Sequence, residues 1–319
     1  MTQMTAKKGI KEYGDRAISA IVKEYDQLDK KNAFEPRFAT SLTTEERMRA
    51  LRSITLIKEK RSGIIKGRTV ADGRPQRKYK APKDVHSPTV STEGLMTTLA
   101  IDAKERRYVV TADVEGAYLH ADMDELVLMM FEGDMVDYMV QTNPAKYAKY
   151  VHTNKRGKKV LYVQLIKALY GCIQSAMLWW KLLTSTLVDE GFTVNPYDSC
   201  VANKIMPDGT QCTVCWYVDD LKISHVLKSV VEDIVKKIEE RYGKMTITRG
   251  NKHNYIGMDI EFTGDGEVQI LMKDYIVEAL EMFPEDCTGH VTTPAANLLF
   301  TVDPSATRLS EEKRTLLHS

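Results

Sequence analysis

The pattern of apolar and polar residues along the chain predicts several helices. In most of them, apolar residues recur with the 3.6-residue period of a helix that has one buried face. The predicted helices lie near residues 17–28, 43–57, 92–105, 175–190, 229–243 and 274–282. Capping boxes of Thr43 with Glu46 and of Ser229 with Glu232 predict the starts of two of them.

Shorter apolar runs between these helices predict strands and hairpins. The predicted strands lie near residues 109–112, 212–224, 245–249 and 255–261, with hairpins at 63–73 and 264–266. Helices and strands in this order predict an α+β fold, with helices packed on one face of an antiparallel sheet.

Two adjacent aspartates, Asp219 and Asp220, interrupt a run of β-branched and aromatic residues. Apolar residues on both sides of a short acidic break predict a tight β-hairpin with carboxylates at its tip. Taken alone, the pair has two interpretations. It forms a solvated turn, where aspartate is common, or it binds a divalent cation that offsets the two like charges.

A third aspartate favours the cation. Asp113 ends the predicted strand at residues 109–112, and a turn or short helix that carries Tyr118 follows it. A carboxylate at the end of one strand, beside a carboxylate hairpin on a neighbouring strand, can hold two metal ions about 4 Å apart. In-line phosphoryl transfer uses this arrangement.

The residues around these aspartates resemble the palm of reverse transcriptases. The similarity rests first on Tyr-Val-Asp-Asp at residues 217–220 and on Asp-x-x-x-Ala-Tyr at residues 113–118. Further segments resemble copia-type LTR retrotransposon polymerases in the same order: Pro-Thr-Val-Ser at 88–91, Leu-Tyr-Gly-Cys-Ile-Gln-Ser-Ala at 169–176 and Tyr-Ile-Gly-Met-Asp-Ile at 255–260. The resemblance runs from about residue 58 to residue 296, and the first forty residues match only loosely.

This resemblance implies an RNA-dependent DNA polymerase with the right-hand polymerase fold. Such an enzyme adds deoxynucleotides to a primer 3′-hydroxyl by two-metal catalysis, with two Mg²⁺ ions for which Mn²⁺ can substitute. The implied partners are an RNA template, a DNA or tRNA primer, deoxynucleoside triphosphates, and the RNase H and integrase domains of the same polyprotein. The implied location is the cytoplasm, in a virus-like particle, or the nucleus.

The resemblance also implies roles for individual residues. The implied catalytic and metal-binding residues are Asp113, Asp219 and Asp220: Asp113 and Asp219 ligate both metal ions, and Asp220 supports the site and contacts the metal only in some states. Tyr118 is implied as the steric gate that disfavours a 2′-hydroxyl; its alternative is an ordinary packed tyrosine. The other implied nucleotide-binding residues are Val114, Tyr170, Gly171, Lys66 and Arg68, and the implied primer grip is Tyr255, Ile256, Gly257 and Met258.

Three positions depart from the family pattern. Ile173 stands where a lysine is common, and Ala176 stands where a proline is common. Asp72 stands where the family usually has a basic residue near the triphosphate. None of these departures involves the three aspartates.

Charge is unevenly distributed, although the formal net charge is only +1. Basic residues cluster at 58–80 and again at 155–159, and such patches can neutralise phosphates while acidic helices balance the total. Within the first cluster, the predicted nucleic-acid-binding residues are Arg74, Arg77 and Lys78. The alternative is that these are solvated loop charges.

The remaining composition predicts an ordinary soluble globular protein, with 43% apolar and 28% charged residues. Cys212 and Cys215 are predicted to be core residues because no second pair of ligands stands at zinc spacing. Trp179 and Trp180 are also predicted to be in the core, and the alternative is a platform on which bases stack. A reducing compartment follows. No apolar run approaches the eighteen residues of a membrane span, so no membrane partner is expected.

The chain is predicted to have four parts. They are an N-terminal helical segment at 1–60, fingers at 61–112, a palm at 113–265 with a fingers insertion near 135–165, and a partial thumb or connection at 266–319 with a frayed end. No segment resembles RNase H or integrase, so a fragment or degenerate copy of a larger polyprotein is expected.

Two other functional classes remain open. One is a catalytically inactive remnant that still binds nucleic acid, which the intact aspartates disfavour. The other is a different two-metal phosphotransferase, such as a nucleotidyl cyclase. Tyr118 and residues 255–260 disfavour a cyclase, because a cyclase has no primer to hold.

Overall fold

The computed structural model describes residues 3–60, 62–80, 86–282, 289, 292, 301, 304–311 and 313–314. The helices are α1 (Ala6–Tyr13), α2 (Asp15–Lys30), α3 (Thr44–Arg49), α4 (Thr92–Lys104), α5 (Asp134–Thr142), α6 (Pro144–Tyr147), α7 (Ser175–Asp189), α8 (Lys228–Tyr242) and α9 (Lys273–Met282). The fraying predicted for the last twenty residues falls partly outside the described ranges.

The strands occur singly and in runs before and between these helices. They are β1 (Met4–Thr5), β2 (Phe34–Arg37), β3 (Leu51–Glu59), β4 (Ile65–Ala71), β5 (Tyr108–Asp113), β6 (Leu128–Glu132), β7 (His152–Thr153), β8 (Lys159–Leu165), β9 (Thr193–Val194), β10 (Val201–Ile205), β11 (Gln211–Tyr217), β12 (Asp220–His225), β13 (Thr246–Arg249), β14 (Lys252–Tyr255), β15 (Met258–Phe262) and β16 (Val268–Leu271). The mixture of helices with largely antiparallel sheets confirms the predicted α+β class.

A six-stranded sheet, counted over the described residues, carries the three aspartates. Its strand order is β13-β5-β12-β11-β10-β9, and all its pairings are antiparallel. The core on its two faces is formed by apolar residues of β5, β11 and β12 with those of α4, α7 and α8. Both acidic segments therefore lie on neighbouring central strands, β5 and β12.

Helices cover both faces of this sheet. Tyr108 on β5 donates to Glu232 of α8 at 3.1 Å, whereas Lys222 on β12 donates to Asp102 of α4. Lys222 is the cross-strand partner of Thr111, which points to the opposite face from Tyr108 because side chains alternate along a strand. Helix α8 thus lies on one face of the sheet and α4 on the other, whereas the order of elements predicts helices on one face only.

A second sheet forms a separate core at the N-terminal side. In the described part of the chain it has seven strands, with the path β1-β3-β6-β8-β2, β4 paired to β3, and β7 paired to β8. Helices α2 and α5 pack against it, and α2 contacts the β3–β4 hairpin. Strands β14, β15 and β16 form a small third sheet.

The helix predicted at 43–57 is wrong beyond its first turns. The capping box is confirmed, since Thr43 Oγ1 accepts from the Glu46 amide at 3.2 Å and Glu46 accepts from the Thr43 amide at 2.7 Å. The helix ends at Arg49, however, and Leu51–Glu59 is a strand. The β-branched residues Ile54, Thr55 and Ile57 explain this outcome, because they favour a pleated surface. The segment at 1–60 is therefore not purely helical.

Two other local predictions are corrected. The strand predicted at 255–261 is a hairpin whose turn contains Ile256 and Gly257, with φ of 51° and 75°. The capping box predicted at Ser229 is absent: α8 begins at Lys228 without a side-chain cap. The carboxylate of Glu232 accepts from Arg249 instead, at 2.9 and 2.8 Å.

None of the described helices is both long enough and apolar enough to cross a lipid bilayer.

Candidate active site

The three aspartates meet where β5 ends and the β11–β12 hairpin turns. Asp220 is the cross-strand partner of Asp113, and Tyr217 pairs with Asp220 across the tip of the hairpin. The amide of Val114 donates to the carbonyl of Asp219 at 3.0 Å, which fixes the hairpin tip against the end of β5. The predicted carboxylate hairpin is confirmed.

The turn that carries Asp219 has an uncommon backbone conformation. Val218 has φ of 58°, a left-handed conformation that is rare for a β-branched residue. The carbonyl of Val218 accepts from Nε1 of Trp179 at 2.6 Å, and Trp179 is buried as predicted. The indole thus holds the strained turn in place, which matters because such strain persists only where the surroundings fix it.

Burial and like charge raise the pKa of two of these carboxyls. For Asp113, burial is the largest cause, followed by the negative charge of Asp219. For Asp220, burial and then the charges of Asp219 and Asp113 raise the pKa to about 6. A bound cation would reverse this cost, because opposite charge favours the ionised form.

Two aromatic rings and a guanidinium lie beside Asp219. Tyr170 Oη donates to Asp219 Oδ2 at 2.9 Å, and burial, followed by the charge of Asp219, raises the pKa of Tyr170. The ring of Tyr118 lies 4.2 Å from the ring of Tyr170, and the guanidinium of Arg68 lies 4.0 Å from the centre of the Tyr170 ring. The predicted nucleotide-binding residues Tyr118, Tyr170 and Arg68 therefore form one stack against the carboxylates.

A cleft of about 150 Å³ opens at this stack. Asp113, Asp219, Tyr170, Lys66 and Arg68 all line it. The sequence places these residues in four segments up to 153 positions apart, from residue 66 to residue 219. The fold brings acidic and basic side chains together in one cavity, which suits a ligand that carries both metal ions and phosphates.

Gly171 is required by close packing next to Tyr170. It has φ of 93°, and a Cβ at this position would lie 1.9 Å from the carbonyl oxygen of Ala71. The amide of Ala71 in turn donates to the carbonyl of Tyr170 at 2.8 Å. Gly171 thus fixes the end of β4, and with it Arg68, against the segment that carries Tyr170.

Val114 lies directly after Asp113, and its side chain is buried in the core of the six-stranded sheet. Its contribution in this structure is the backbone hydrogen bond to Asp219. The side chain of Tyr255 is also enclosed: its hydroxyl donates to the carbonyl of Asp220 at 3.1 Å, so it supports β12 from beneath. Ile256, Gly257 and Met258 form the turn and strand start beyond it.

The predicted nucleic-acid-binding residues lie outside the cleft lining, on a short 3-10 helix at Arg74–Lys78. Arg77 and Lys78 are exposed, and Arg74 forms an ion pair of 2.6 Å with Asp72. The buried Gln76 donates to Gln174 at 3.0 Å and accepts from the Ile173 amide at 3.1 Å. These bonds fix the turn next to the Tyr170 segment.

The sequence prediction missed one side of the cleft. Glu24, Gln27 and Leu28 of α2 line it together with the predicted residues. The sequence pattern predicts only a buried apolar stripe for α2. The polar residues of this helix match no motif, so the pattern does not predict that they line a cleft.

Among the described residues, no group of three or more His, Cys, Asp or Glu side chains stands in a geometry that holds a metal ion. The carboxylates that line the cleft belong to Glu24, Asp113, Glu115 and Asp219, and among them Asp113 and Asp219 are the predicted metal ligands. Carboxylates suit hard divalent cations, which also take water and phosphate oxygens, so this donor set fits Mg²⁺ when a triphosphate supplies further oxygens.

The comparison with known families agrees with this geometry. The family model for reverse transcriptase (RNA-dependent DNA polymerase) matches residues 50–297, and the chain belongs to this family. The family match and the antiparallel sheet that carries the aspartates confirm the predicted right-hand polymerase fold.

Two similar proteins are retrotransposon polyproteins of Saccharomyces cerevisiae. The truncated transposon Ty1-A Gag-Pol polyprotein is 27% identical over 258 residues, covering 81% of this chain and 19% of that protein. The transposon Ty1-DR5 Gag-Pol polyprotein is also 27% identical over 258 residues, covering 81% of this chain and 13% of that protein. The predicted similarity to copia-type polyproteins is confirmed, and the chain spans less than a fifth of the length of these relatives.

Solved structures give more distant similarities. Apo telomerase from Candida tropicalis has a TM-score of 0.43 and 13% identity, over 81% of this chain and 52% of that chain. The foamy viral protease-reverse transcriptase in complex with double-stranded DNA has a TM-score of 0.42 and 13% identity, over 84% of this chain and 37% of that chain.

Proposed function

We propose that this chain is the RNA-dependent DNA polymerase domain of a copia-type retrotransposon polyprotein. It adds deoxynucleotides to the 3′-hydroxyl of a primer by two-metal catalysis. The observation that carries the proposal is that Asp113 and Asp219 share one cleft with Lys66 and Arg68. A polymerase needs this combination, since its substrate brings metal ions and a triphosphate together.

In the proposed mechanism, Asp113 and Asp219 hold two Mg²⁺ ions, for which Mn²⁺ can substitute. The chemistry that these ions would supply when bound is a lower pKa of the primer hydroxyl and neutralisation of charge on the triphosphate and the leaving pyrophosphate. Tyr170 orients the Asp219 carboxylate through its 2.9 Å hydrogen bond. Asp220 faces Asp113 from the neighbouring strand and adds negative charge to the site.

The nucleotide is proposed to lie between the basic and the aromatic side chains. Lys66 and Arg68 bind the triphosphate. The close packing of Gly171 on Ala71 keeps Arg68 against the ring of Tyr170. The ring of Tyr118 lies under the sugar and excludes a 2′-hydroxyl. The turn at Ile256 and Gly257, with Met258, contacts the primer end, while the buried Tyr255 holds this turn to β12.

The partners and location follow from the same proposal. They are an RNA template, a DNA or tRNA primer, deoxynucleoside triphosphates, and RNase H and integrase domains of a common polyprotein, in cytoplasmic particles or in the nucleus. We propose the domain division given above with one change: the fingers begin near Leu51, because β3 pairs along its length with β4.

The alternative is an inactive remnant that binds nucleic acid. Primer extension separates the two: a labelled DNA primer is annealed to an RNA template and incubated with Mg²⁺, deoxynucleotides and the whole chain. We expect extension by the parent and a loss of at least about a hundredfold in Asp219→Asn, because an amide cannot supply the charge that clustered cations need.

The matched control is Asp189→Asn at the exposed end of α7, which should leave activity unchanged. Circular dichroism should show the same fold in all three proteins. Tight binding of the primer–template without extension by the parent would favour the inactive remnant. Activity of Asp219→Asn within tenfold of the parent would contradict the assignment of Asp219 as a metal ligand.

A further inference from the structure

Helix α2 precedes the residues matched by the family model, yet it packs closely on the strand that carries Lys66 and Arg68. A Cβ at Gly67 would lie 2.7 Å from the carbonyl oxygen of Ala20, so the backbones of α2 and β4 are nearly in contact. Tyr25 Oη is hydrogen-bonded to Thr55 Oγ1 at 3.0 Å, and Thr55 Oγ1 to Thr69 Oγ1 at 3.2 Å. These buried contacts hold the helix on the β3–β4 hairpin.

Glu24 is the acidic residue of α2 at the cleft. Its Oε1 accepts from the backbone amide of Thr69 at 2.9 Å, on the edge of β4 that β3 leaves unpaired. Glu24 lines the cleft beside Asp113 and also lines an adjoining cleft of about 220 Å³. Burial raises the pKa of Glu24, although the hydrogen bond from Thr69 and the charges of Lys66 and Arg68 oppose this effect.

Lys66 and Arg68 are like charges on one face of β4. They are two residues apart, so their side chains point the same way, and both line the cleft. Within the described part of the chain, neither has a carboxylate oxygen within 4.0 Å. Glu24 is near enough to attract both of them without occupying their donors in an ion pair.

We propose that Glu24 is a positioning residue for the incoming nucleoside triphosphate. Its hydrogen bond fixes β4, and its negative charge moderates the attraction of Lys66 and Arg68 for polyphosphate. This inference rests on the proposed polymerase function and assigns a role to a helix outside the matched residues.

The negative charge of Glu24 is proposed to speed turnover by limiting the affinity of the cleft for the product pyrophosphate. Lys66 and Arg68 attract the substrate triphosphate and the product pyrophosphate alike. Binding that is equally strong in the ground state and the transition state does not raise kcat, and excess affinity for the product slows its release. A nearby carboxylate limits this affinity without contacting the ligand.

Two substitutions separate the charge of Glu24 from its hydrogen bond. Glu24→Gln keeps an oxygen that can accept from Thr69 but removes the charge. Glu24→Asp keeps the charge but shortens the side chain, so the bond to Thr69 is lost. Glu240→Gln on the exposed face of α8 removes one charge far from the cleft and is the control.

The measurement is the Kd of dTTP in the complex of the whole chain with a poly(rA) template and a dideoxy-terminated oligo(dT) primer, with Mg²⁺. The blocked primer prevents chemistry, so binding is measured apart from catalysis. We expect Glu24→Gln to bind dTTP about three- to tenfold more tightly with an unchanged Tm. Glu24→Asp should bind dTTP like the parent and have a lower Tm.

Other outcomes overturn the inference. A Kd in Glu24→Gln within twofold of the parent would make the charge irrelevant. Weaker binding together with a lower Tm would reduce Glu24 to a structural residue, and a parent that forms no dTTP-dependent complex would also end the proposal. If the parent binds dTTP but does not extend an unblocked primer, the polymerase function fails while the role of Glu24 in binding is still decided.

Discussion

At the scale of single residues, the carboxylates at the cleft are partly buried and close to one another, and both effects oppose their ionisation. Asp113 and Asp220 are paired across two strands, and the turn between β11 and β12 adds Asp219. The fold therefore places like charges together where solvent is partly excluded. This is unfavourable for stability without a cation, and a bound cation would relieve the repulsion.

The pH dependence of stability provides a first prediction. Since the pKa of Asp220 is raised to about 6 in the folded chain, the folded state binds more protons than the unfolded state between about pH 4 and 6. Stability without metal should fall as pH rises through this window. Asp220→Asn should therefore raise Tm at pH 8 by roughly 2 °C and leave Tm nearly unchanged at pH 4.

The measurement for Asp220→Asn is thermal unfolding with a chelator present, at both pH values. Adding Mg²⁺ should stabilise the parent more than the variant. Equal Tm values for the two proteins at pH 8 would show that Asp220 carries no charge repulsion.

The stacked aromatic residues give a second prediction. Tyr118 lies against Tyr170, whose hydroxyl donates to Asp219, so its ring is one residue away from a carboxylate that is proposed to bind metal. Tyr118→Val should admit ribonucleotides, because it removes a clash with the 2′-hydroxyl. A clash of a few kcal/mol corresponds to a change of about 10²-fold in the deoxy/ribo preference.

This preference is measured as the ratio of kcat/KM for dTTP and UTP on one primer–template. Incorporation of dTTP should survive the substitution. An unchanged ratio with reduced overall activity would contradict the steric-gate role and would indicate that Tyr118 is an ordinary packed tyrosine.

At the scale of elements, sequence patterns predicted some segments well and misled on others. The hairpin at Asp219 is predictable because two apolar runs separated by a short acidic break are typical of two paired strands joined by a turn. The strand Leu51–Glu59 is not, because Leu51, Ile54 and Ile57 also fit a helical stripe after a genuine capping box. Pairing with β4 makes this segment a strand rather than a helix. The residues of the segment alone do not reveal that contact.

The turn at Val218 was also beyond prediction. A β-branched residue disfavours positive φ, so the sequence argues against the conformation that the fold imposes. Its support comes from Trp179, 39 positions away on α7. The role of Glu24 is not predictable from the sequence for the same reason, because its hydrogen-bond partner Thr69 is 45 residues away.

Packing between two elements gives a third prediction, at the contact of β4 with the Tyr170 segment. Gly171→Ala should destabilise the chain by about 2–4 kcal/mol, because a Cβ would lie 1.9 Å from the Ala71 oxygen at φ of 93°. Gly157→Ala is the control. Gly157 also has positive φ (73°), but among the described residues nothing beyond its chain neighbours lies within 4 Å of a Cβ there.

The control substitution should cost about 1 kcal/mol from backbone strain alone. Urea unfolding of both variants measures the difference. Equal destabilisation would show that the close approach of Gly171 to Ala71 contributes nothing beyond its φ.

At the scale of the whole molecule, the resemblance to a family located the site better than composition did. A net charge of +1 argues against a nucleic-acid-binding protein, whereas Asp113, Asp219 and the basic residues of β4 line one cleft. Sequence motifs indicate the proposed chemistry because that chemistry needs particular residues. They did not reveal α2 as a wall of the cleft, since many polar helix faces could serve there.

The distribution of charge gives the last prediction. The exposed turn with Arg74, Arg77 and Lys78 is held beside the Tyr170 segment by Gln76, so it lies next to the cleft rather than in a remote loop. Each phosphate contact on a duplex contributes a slope of about −0.9 in log K against log salt. Replacing the three residues with Gln should flatten this slope by roughly two to three units, equally for unrelated template sequences, because phosphate contacts do not specify sequence.

The control replaces the exposed Lys155, Arg156 and Lys158 with Gln, on the loop before β8. It carries the same change in net charge, so an effect of total charge alone would be equal in both triple variants. If the turn binds the template, only the first variant loses slope. An unchanged slope in the first variant with a reduced slope in the control would move the template path to the second cluster, since the salt dependence counts the phosphates that a surface actually neutralises.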